Sequence, residues 1–408
     1  MRKREKIILT HGCIFIVGKK DNKMARKKKM KAKKKLLLFA VEILVLIIIL
    51  VVLALYNMTF GKINFSDLKD AGINDDLSDA ALESMDGYVN IALFGLDNRT
   101  NGNYNTGNSD SIMIASINED TKEVKIASVY RDTYLDIGDN TYRKANAAYA
   151  KGGVESAVQM LNANLDLTIT EYVCVDWRAL IEAVDALGGI DLEVTTDEAS
   201  VMQPYIDEIQ QTTGYSSSYV TGGGMTHLDG VQAVAYSRVR YTAGDDFLRA
   251  SRQRLVIQAM LAKAKEADVM TLTTLCSDIF DDISTSLSIT QLVGLAKDVN
   301  KYEIQSTTGF PFKLATASLP KCGSTVVAAD LETNVIQLHE YLYDDADYVP
   351  SDTVKATSEE IVNATGITKD TEGIDTSNYN ETVGADGTEA TKTQNKESKS
   401  QDTETENQ

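Results

Sequence analysis

Leu36 to Leu55 is a run of 20 residues carrying a single charge, Glu42. A helix of that length rises about 30 Å, the thickness of a bilayer core, so the run predicts a transmembrane helix over 36–55. No small-residue cleavage pattern follows it; Tyr56, Asn57 and Met58 come next. Farther along, the apolar period changes. Val89, Ile91 and Leu93 alternate while Ala92 and Phe94 are apolar on the other face. This predicts a central strand over Tyr88–Leu96, covered on both sides. Ser111–Ile117 and Val124–Val129 read as two more strands, joined by Asn118–Thr121 into an antiparallel hairpin. A helix over Val154–Asn164 follows Gly152–Gly153, then a strand over Tyr172–Val175. A helix over Arg178–Leu187 ends at Gly188–Gly189, and a strand follows over Ile190–Val194. Strands alternating with helices of this length predict an α/β sheet sandwiched by helices.

The second half is less regular. Thr196–Met225 is polar and bears Gly, Ser and Tyr, the composition of a mobile flap near a site. Phe247–Lys265 predicts a long helix, 269–300 two amphipathic helices, Tyr302–Ala328 a less regular stretch with room for a strand pair, and Leu331–Tyr343 a last helix. From Ser351 on there are 13 acids against five lysines and few apolar residues. Such a segment buries too little surface to order itself. The organisation expected is a basic segment 1–35, the span 36–55, a connector 56–87, a folded domain 88–345 and a disordered acidic tail 351–408.

Charge orients these parts. Residues 1–35 hold 15 Lys/Arg against two acids, in a chain whose formal net charge is -18. Basic residues flanking the span place the N-terminus in the cytoplasm and the long C-terminal part outside the cell. Met24 is an alternative start within the basic segment. The acidic body argues against nucleic acid as a partner. Cys13 falls on the cytoplasmic side, and the three outside, Cys174, Cys276 and Cys322, have no close spacing. That is neither a disulfide framework nor a zinc site.

Against the acidic background, Tyr236–Arg254 carries five arginines: Arg238, Arg240, Arg249, Arg252 and Arg254. Arg238 and Arg240 share a face if extended; Arg249 and Arg252 share a face of the following helix. Guanidinium suits bidentate contact with phosphate or carboxylate, so the stretch reads as an anion clamp. Asp97 closes the first strand, Asp110 opens the second, and Arg131–Asp132 close the third. With the second strand antiparallel to its neighbours, these ends meet on one sheet edge. Carboxylates there can hold a hard cation such as magnesium, which bridges phosphate oxygens while arginines neutralise the rest. Phosphoryl transfer asks for little more than this positioning, neutralisation and a base. No Gly-x-Ser-x-Gly elbow or phosphate-binding loop is present, so a serine-hydrolase triad has little support and His227 reads as structural.

Several motifs occur together and in order: Tyr88–Asp97, Ser109–Asp110–Ser111, Ser128–Val129–Tyr130–Arg131–Asp132–Thr133, Lys144–Ala145–Asn146–Ala147–Ala148–Tyr149 with Gly152–Gly153, and Leu187–Gly188–Gly189. Behind them come His227–Leu228–Asp229–Gly230, Tyr236–Ser237–Arg238–Val239–Arg240, and Asp246 through Arg249 to Arg252–Gln253. The set resembles the LytR–CpsA–Psr family of bacterial cell-envelope proteins over about Tyr88 to Lys265. The resemblance implies an α/β/α sandwich with a central mixed β-sheet, behind a single transmembrane helix. It also implies a metal-dependent transferase that moves anionic glycopolymers, such as teichoic acid or capsular polysaccharide, from an undecaprenyl-pyrophosphate carrier to peptidoglycan. The product would be a phosphodiester to the muramic acid 6-hydroxyl. Carried over by residue, Asp97 and Asp110 would hold Mg2+ or Mn2+, with Asp97 also serving or orienting the base. Arg131, Arg238 and Arg240 would grip the pyrophosphate, and Asp132, Lys144 and Asn146 would contact substrate. Arg249, Arg252 and Gln253 would stand in or behind that shell, and the polyprenyl tail would lie in an apolar tunnel between sheet and helices. Two positions depart from the family pattern. Asn108 stands where an arginine is usual, with Arg99 as its stand-in, and Tyr130 replaces a proline. Asn108 favours an alternative, an inactive prenyl-pyrophosphate binder or envelope scaffold of the kind called a LytR-type transcriptional regulator or attenuator.

Overall fold

The strands that read as apolar on both faces form the middle of an eight-stranded mixed sheet. Its order is β1 (Asn64–Phe65), β10 (Ile283–Thr285), β7 (Glu171–Val175), β2 (Tyr88–Leu96), β3 (Ser109–Asn118), β4 (Glu123–Val129), β11 (Glu303–Phe310) and β15 (Glu381–Thr382). The computed structural model describes residues 64–65, 68–97, 103–105, 107–240, 245–268, 283–288, 298–376 and 381–382, with single positions at 272, 291 and 295. Residues 1–35 and the expected span 36–55 lie outside the described residues. Among the described residues no helix is long and apolar enough to cross a membrane.

β3 runs antiparallel to both β2 and β4, as the hairpin reading predicts. β7 is parallel to β2, and β11 is parallel to β4. The C-terminal ends of β7, β2, β4 and β11 and the N-terminal end of β3 therefore share one edge. Ligands of open α/β sheets bind outside that carboxyl edge.

Alternation along these strands feeds two cores. Phe94, Ile112, Ile114 and Val129 face α2 (Ala147–Leu165) and α7 (Leu331–Tyr343), which contribute Val158, Leu161, Val335 and Leu338. Met113, Ala115, Val124 and Ile126 face the other way, against Ile257 and Leu261 of α6 (Asp245–Glu266). Helices thus cover both faces, as expected. A third cluster joins α3 (Trp177–Ala186), the β8–β9 hairpin (Ile190–Val194 and Gly224–Leu228), α4 (Thr196–Thr213) and α5 (Gly230–Arg238). A short helix, α1 (Asp79–Met85), precedes β2. Cys174 is buried and free, one of the inward residues of β7; Cys322 is also free.

Several expectations are corrected. Thr196–Met225 is not a flap: most of it is α4, capped by a reciprocal Thr195–Glu198 box and burying Met202, Ile206 and Ile209 at helical spacing. Pro204 inside the helix and the Gly/Ser-rich chain after it mask that stripe. Tyr302–Ala328 holds three strands, β11, β12 (Lys313–Leu319) and β13 (Gly323–Ala328); β12 also pairs with β14 (Ile374–Asp375). In 269–300 the described part includes β10, a strand; the two expected helices fall largely outside the described residues. The tail does not become disordered at Ser351. Ser351 caps α8 (Asp352–Thr365), which buries Val354 and Ile361 against the α2–α7 core. α8 is held by Asp166 at the end of α2, whose carboxylate accepts from Tyr348 Oη at 2.6 Å, Ser351 N at 2.8 Å and Ser351 Oγ at 2.7 Å.

His339 on α7 is buried in the same region. Its ring stacks on Tyr348 at 3.6 Å, and Nε2 lies 3.0 Å from the Leu165 carbonyl oxygen. Burial lowers its pKa to about 4, below the ordinary value of about 6.5, so the unfolded chain takes up the proton first. Stability from this group is complete above about pH 6.5 and is lost as pH falls toward 4, by about 3 kcal/mol. Urea titrations of the full chain across that window should show the midpoint falling, and His339→Phe should flatten the fall. An equal slope in the variant would place the pH dependence elsewhere.

Candidate active site at the carboxyl edge of the sheet

The strand ends converge as the sequence predicts. Asp97 follows β2 where the β2–β3 register slips between Gly95 and Leu96, and Asp110 is the second residue of β3. Arg131 and Asp132 follow β4. A small hairpin, β5 (Tyr134–Asp136) and β6 (Tyr142–Lys144), folds back so that Asn146 N donates to the Arg131 carbonyl at 3.0 Å and Ala145 N to that of Thr133 at 2.8 Å. These bonds bring Lys144 and Asn146 to the same edge. Asn146 occupies the N-cap of α2, yet its side chain makes no capping bond. Gly153, at φ 69°, breaks that helix after its first turn. Asp97, Asp110, Arg131, Asp132, Lys144 and Asn146 all line one cavity of about 680 Å3, with Asn108, Arg240, Asp246 and Phe247. Thr316, Ser324, Thr325 and Val326 of the β12–β13 hairpin complete the lining.

Asp246, in the first turn of α6, is the electrostatic hub. Its Oδ1 lies 3.0 Å from Arg249 Nη2, 3.5 Å from Arg240 Nε and 3.8 Å from Arg131 Nε. Arg131 Nη1 donates to Asp110 Oδ1 at 2.8 Å, and Lys144 Nζ lies 3.1 Å from Asp132 Oδ1. Burial pulls the Arg131 guanidinium down, but Asp110, Asp246 and Asp132 outweigh it and raise its pKa. At Arg249 burial wins and the pKa is lowered; Asp246 and Asp110 offset part of this, and Arg131 and Arg240 add to it. Arg249 and Gln253 stand behind the cavity, lining a small void of about 10 Å3 beside Arg131.

Other predicted residues are placed elsewhere. Arg238 and Arg240 are not on one extended face. Arg238 ends α5, and the chain turns at Val239. The Arg238 guanidinium stacks 4.0 Å over the Trp177 ring and pairs with Glu208 at 3.1 Å, so Arg238 does not line the cavity. Arg252 does not line it either. It is buried, with Nε 2.8 Å from Glu198 Oε1 and Nη1 donating to the Val239 carbonyl at 2.9 Å. It therefore fixes the turn that carries Arg240. Arg254 is buried against β11, with Nε donating to Thr307 Oγ1 at 3.2 Å. Arg99 lies outside the described residues. Tyr130, where the family pattern has proline, packs edge-on against Phe247 at 4.8 Å and ties the start of α6 to the end of β4.

A family model described as the LytR_cpsA_psr family matches residues 56–321, more than half of the chain. The chain belongs to this family. Over 211 residues it is 31% identical to TagU of Enterococcus faecalis, named a polyisoprenyl-teichoic acid–peptidoglycan teichoic acid transferase, covering 51% of this chain and 64% of that one. The chain thus spans less than two thirds of that relative's length. It is 30% identical over 288 residues to biofilm regulatory protein A of Streptococcus mutans, covering 65% and 68% of the two chains. The crystal structure of TagV from Bacillus subtilis superposes with a TM-score of 0.51 at 23% identity, covering 64% of this chain and 98% of that one, which shows the shared fold.

In this LytR–CpsA–Psr chain two parts of the site have no clear signature in residue type. Asp246 is legible in the sequence only as the start of the stretch that runs through Arg249 to Gln253, although its three-residue spacing to Arg249 is an ion-pair signal. The β12–β13 wall gave no signal, since hydroxyl residues on a strand are ordinary. Asp97 and Asp110 fit a hard divalent cation in donor type: both are oxygen donors on adjacent strand ends lining one cavity. Among the described residues no group of three or more His, Cys, Asp or Glu is placed to hold a metal.

Proposed function

We propose that the chain transfers an anionic glycopolymer from a polyprenyl-pyrophosphate carrier to peptidoglycan, from an outer domain anchored by the single span 36–55. The observation that carries this is the convergence of Arg131, Arg240 and Arg249 on one carboxylate beside an open cavity at the sheet's carboxyl edge. Family membership and the activity named for TagU support it. Arg131 and Arg240 bind the pyrophosphate by exchanging part of their pairing with Asp110 and Asp246 for phosphate oxygens. Arg249 and Arg252 hold this pair from behind. The acceptor hydroxyl oxygen attacks the phosphorus that bears the glycopolymer, its proton passes to Asp97, and polyprenyl phosphate leaves as the bond to phosphorus breaks. The polyprenyl tail follows the apolar layer between sheet and helices.

The cavity lining holds four carboxylates (Asp97, Asp110, Asp132 and Asp246) against three cationic groups (Arg131, Lys144 and Arg240). A pyrophosphate adds negative charge to a site already in slight excess. Mg2+ or Mn2+ held by Asp97 and Asp110 would supply the missing positive charge and polarise the phosphate oxygens. Chelation of divalent ions is therefore expected to lower transfer from a polyprenyl-pyrophosphate donor to glycan strands by about a hundredfold or more, with recovery on adding magnesium. Unchanged turnover after chelation would remove the metal from the account. A second reading, a binder or scaffold without turnover, is favoured by the name of the Streptococcus mutans relative and by Asn108. Saturable binding of prenyl pyrophosphate with no transfer under any divalent metal would select it.

A further inference from the structure

The transferase reading accounts for the charged part of the cavity and leaves its uncharged wall without a task. That wall is the β12–β13 hairpin. Its register pairs Thr316 with Val326 and Ser318 with Ser324. Directly opposed residues, and residues two apart, share a face of a sheet. Thr316, Ser318, Ser324 and Val326 therefore lie on one face, and three of the four carry hydroxyls. Thr316, Ser318 and Ser324 are exposed. Thr316 and Ser324 line the cavity, and Ser318 continues the row outward. Thr325 differs: it is buried, and its hydroxyl donates to the Ala317 carbonyl at 2.8 Å, so it serves the hairpin itself.

We infer that this face is the subsite for the sugar rings of the glycan acceptor, with Thr316 and Ser324 positioning the sugar whose hydroxyl is phosphorylated and Ser318 contacting the next sugar along. The inference rests on the transferase reading and adds the location of the second substrate. Charge is segregated within the cavity: every ionic lining residue comes from β2–β4, Lys144 or the α5–α6 region, and none from the hairpin. The hydroxyls and acetamido groups of sugar rings match a row of hydroxyls, which both donate and accept, without stripping water from a protein charge. The wall is also fixed relative to the chemistry. Val326 N donates to the Asp132 carbonyl at 2.9 Å, and Val326 and Leu314 pack with Tyr130, Ala250 and Phe247. A sugar held there is in register with the residue that follows Arg131, which is what in-line attack on a bound phosphate needs.

The test titrates a soluble peptidoglycan glycan oligomer, and separately a short-chain prenyl pyrophosphate, into the full chain. The wild type is compared with a Thr316→Val/Ser324→Ala variant of matched thermal midpoint. Valine keeps the shape and strand preference of threonine. The double variant should bind the glycan about tenfold or more weakly, with prenyl-pyrophosphate affinity unchanged within about twofold. Ser318→Ala alone should weaken oligomers and leave a single disaccharide unit unaffected. Equal glycan affinity in the double variant, or no glycan binding by the wild type, overturns the inference. Glycan binding that depends on these hydroxyls in a chain that ignores prenyl pyrophosphate would sink the transferase reading and leave the glycan wall in place.

Discussion

Arg131→Ala is expected to lower transfer by about a thousandfold, with most of the loss in donor binding and the phosphoryl step. Removing one preorganised cationic donor from such a site costs about 100- to 1,000-fold, and arginines at phosphoryl-transfer centres reach higher. Arg131 is at the upper end because it does two things. Its side chain, 17% exposed, donates to Asp110 and lies within 4.0 Å of both Asp132 and Asp246. Without it, three carboxylates face one another across the place where an anion must enter. Lysine restores the charge but not the planar fork, so Arg131→Lys should recover only part of the loss. Arg238→Ala is the informative contrast. Arg238 stacks on Trp177 and pairs with Glu208 away from the cavity, so donor affinity should change far less than in Arg131→Ala. Donor titrations and single-turnover rates on the two variants read this directly. A larger loss of donor affinity in Arg238→Ala than in Arg131→Ala would mean that the pyrophosphate sits on the Trp177 side of α5.

Asp166→Ala is expected to cost about 4 kcal/mol of stability and to release α8. Asp166 is buried, adopts φ 54° at the end of α2, and receives Asn74 Nδ2 at 2.6 Å besides the bonds from Tyr348 and Ser351. Alanine strains the left-handed backbone and leaves buried donors unmade, each worth about 1–3 kcal/mol. Asparagine tolerates that backbone and keeps the shape, so Asp166→Asn should cost about half as much. Urea unfolding gives the magnitude, and amide exchange over 352–365 gives the location. Loss of stability with α8 still protected would contradict the proposed latch.

The sequence made legible what depends on local pattern. α7 spans the Leu331–Tyr343 that its apolar stripe predicts, and in the structure Asp330 caps it. The β3–β4 hairpin followed from its turn, and with it the meeting of Asp97, Asp110 and Arg131 on one edge. What stayed hidden depends on where chain direction changes. A spacing of two means one face only on a strand. Arg238 closes a helix and Arg240 lies past a turn, so the same spacing sends them apart. α8 was hidden by acidic composition: Val354 and Ile361 are enough apolar surface only because Asp166 and Asp76 bond its first turn. Asp246 became a hub only when the sheet end and two neighbouring helix termini came together.

On the proposed function, the guanidinium cluster at the carboxyl edge of the sheet binds a lipid-linked pyrophosphate. Phosphorus NMR of a short-chain prenyl pyrophosphate titrated into the full chain, the wild type beside Arg131→Ala and Arg240→Ala, tests it most directly. The predicted result is a saturable shift of both phosphorus signals in the wild type, lost or strongly weakened in each variant. The same saturable shift in all three chains would contradict it.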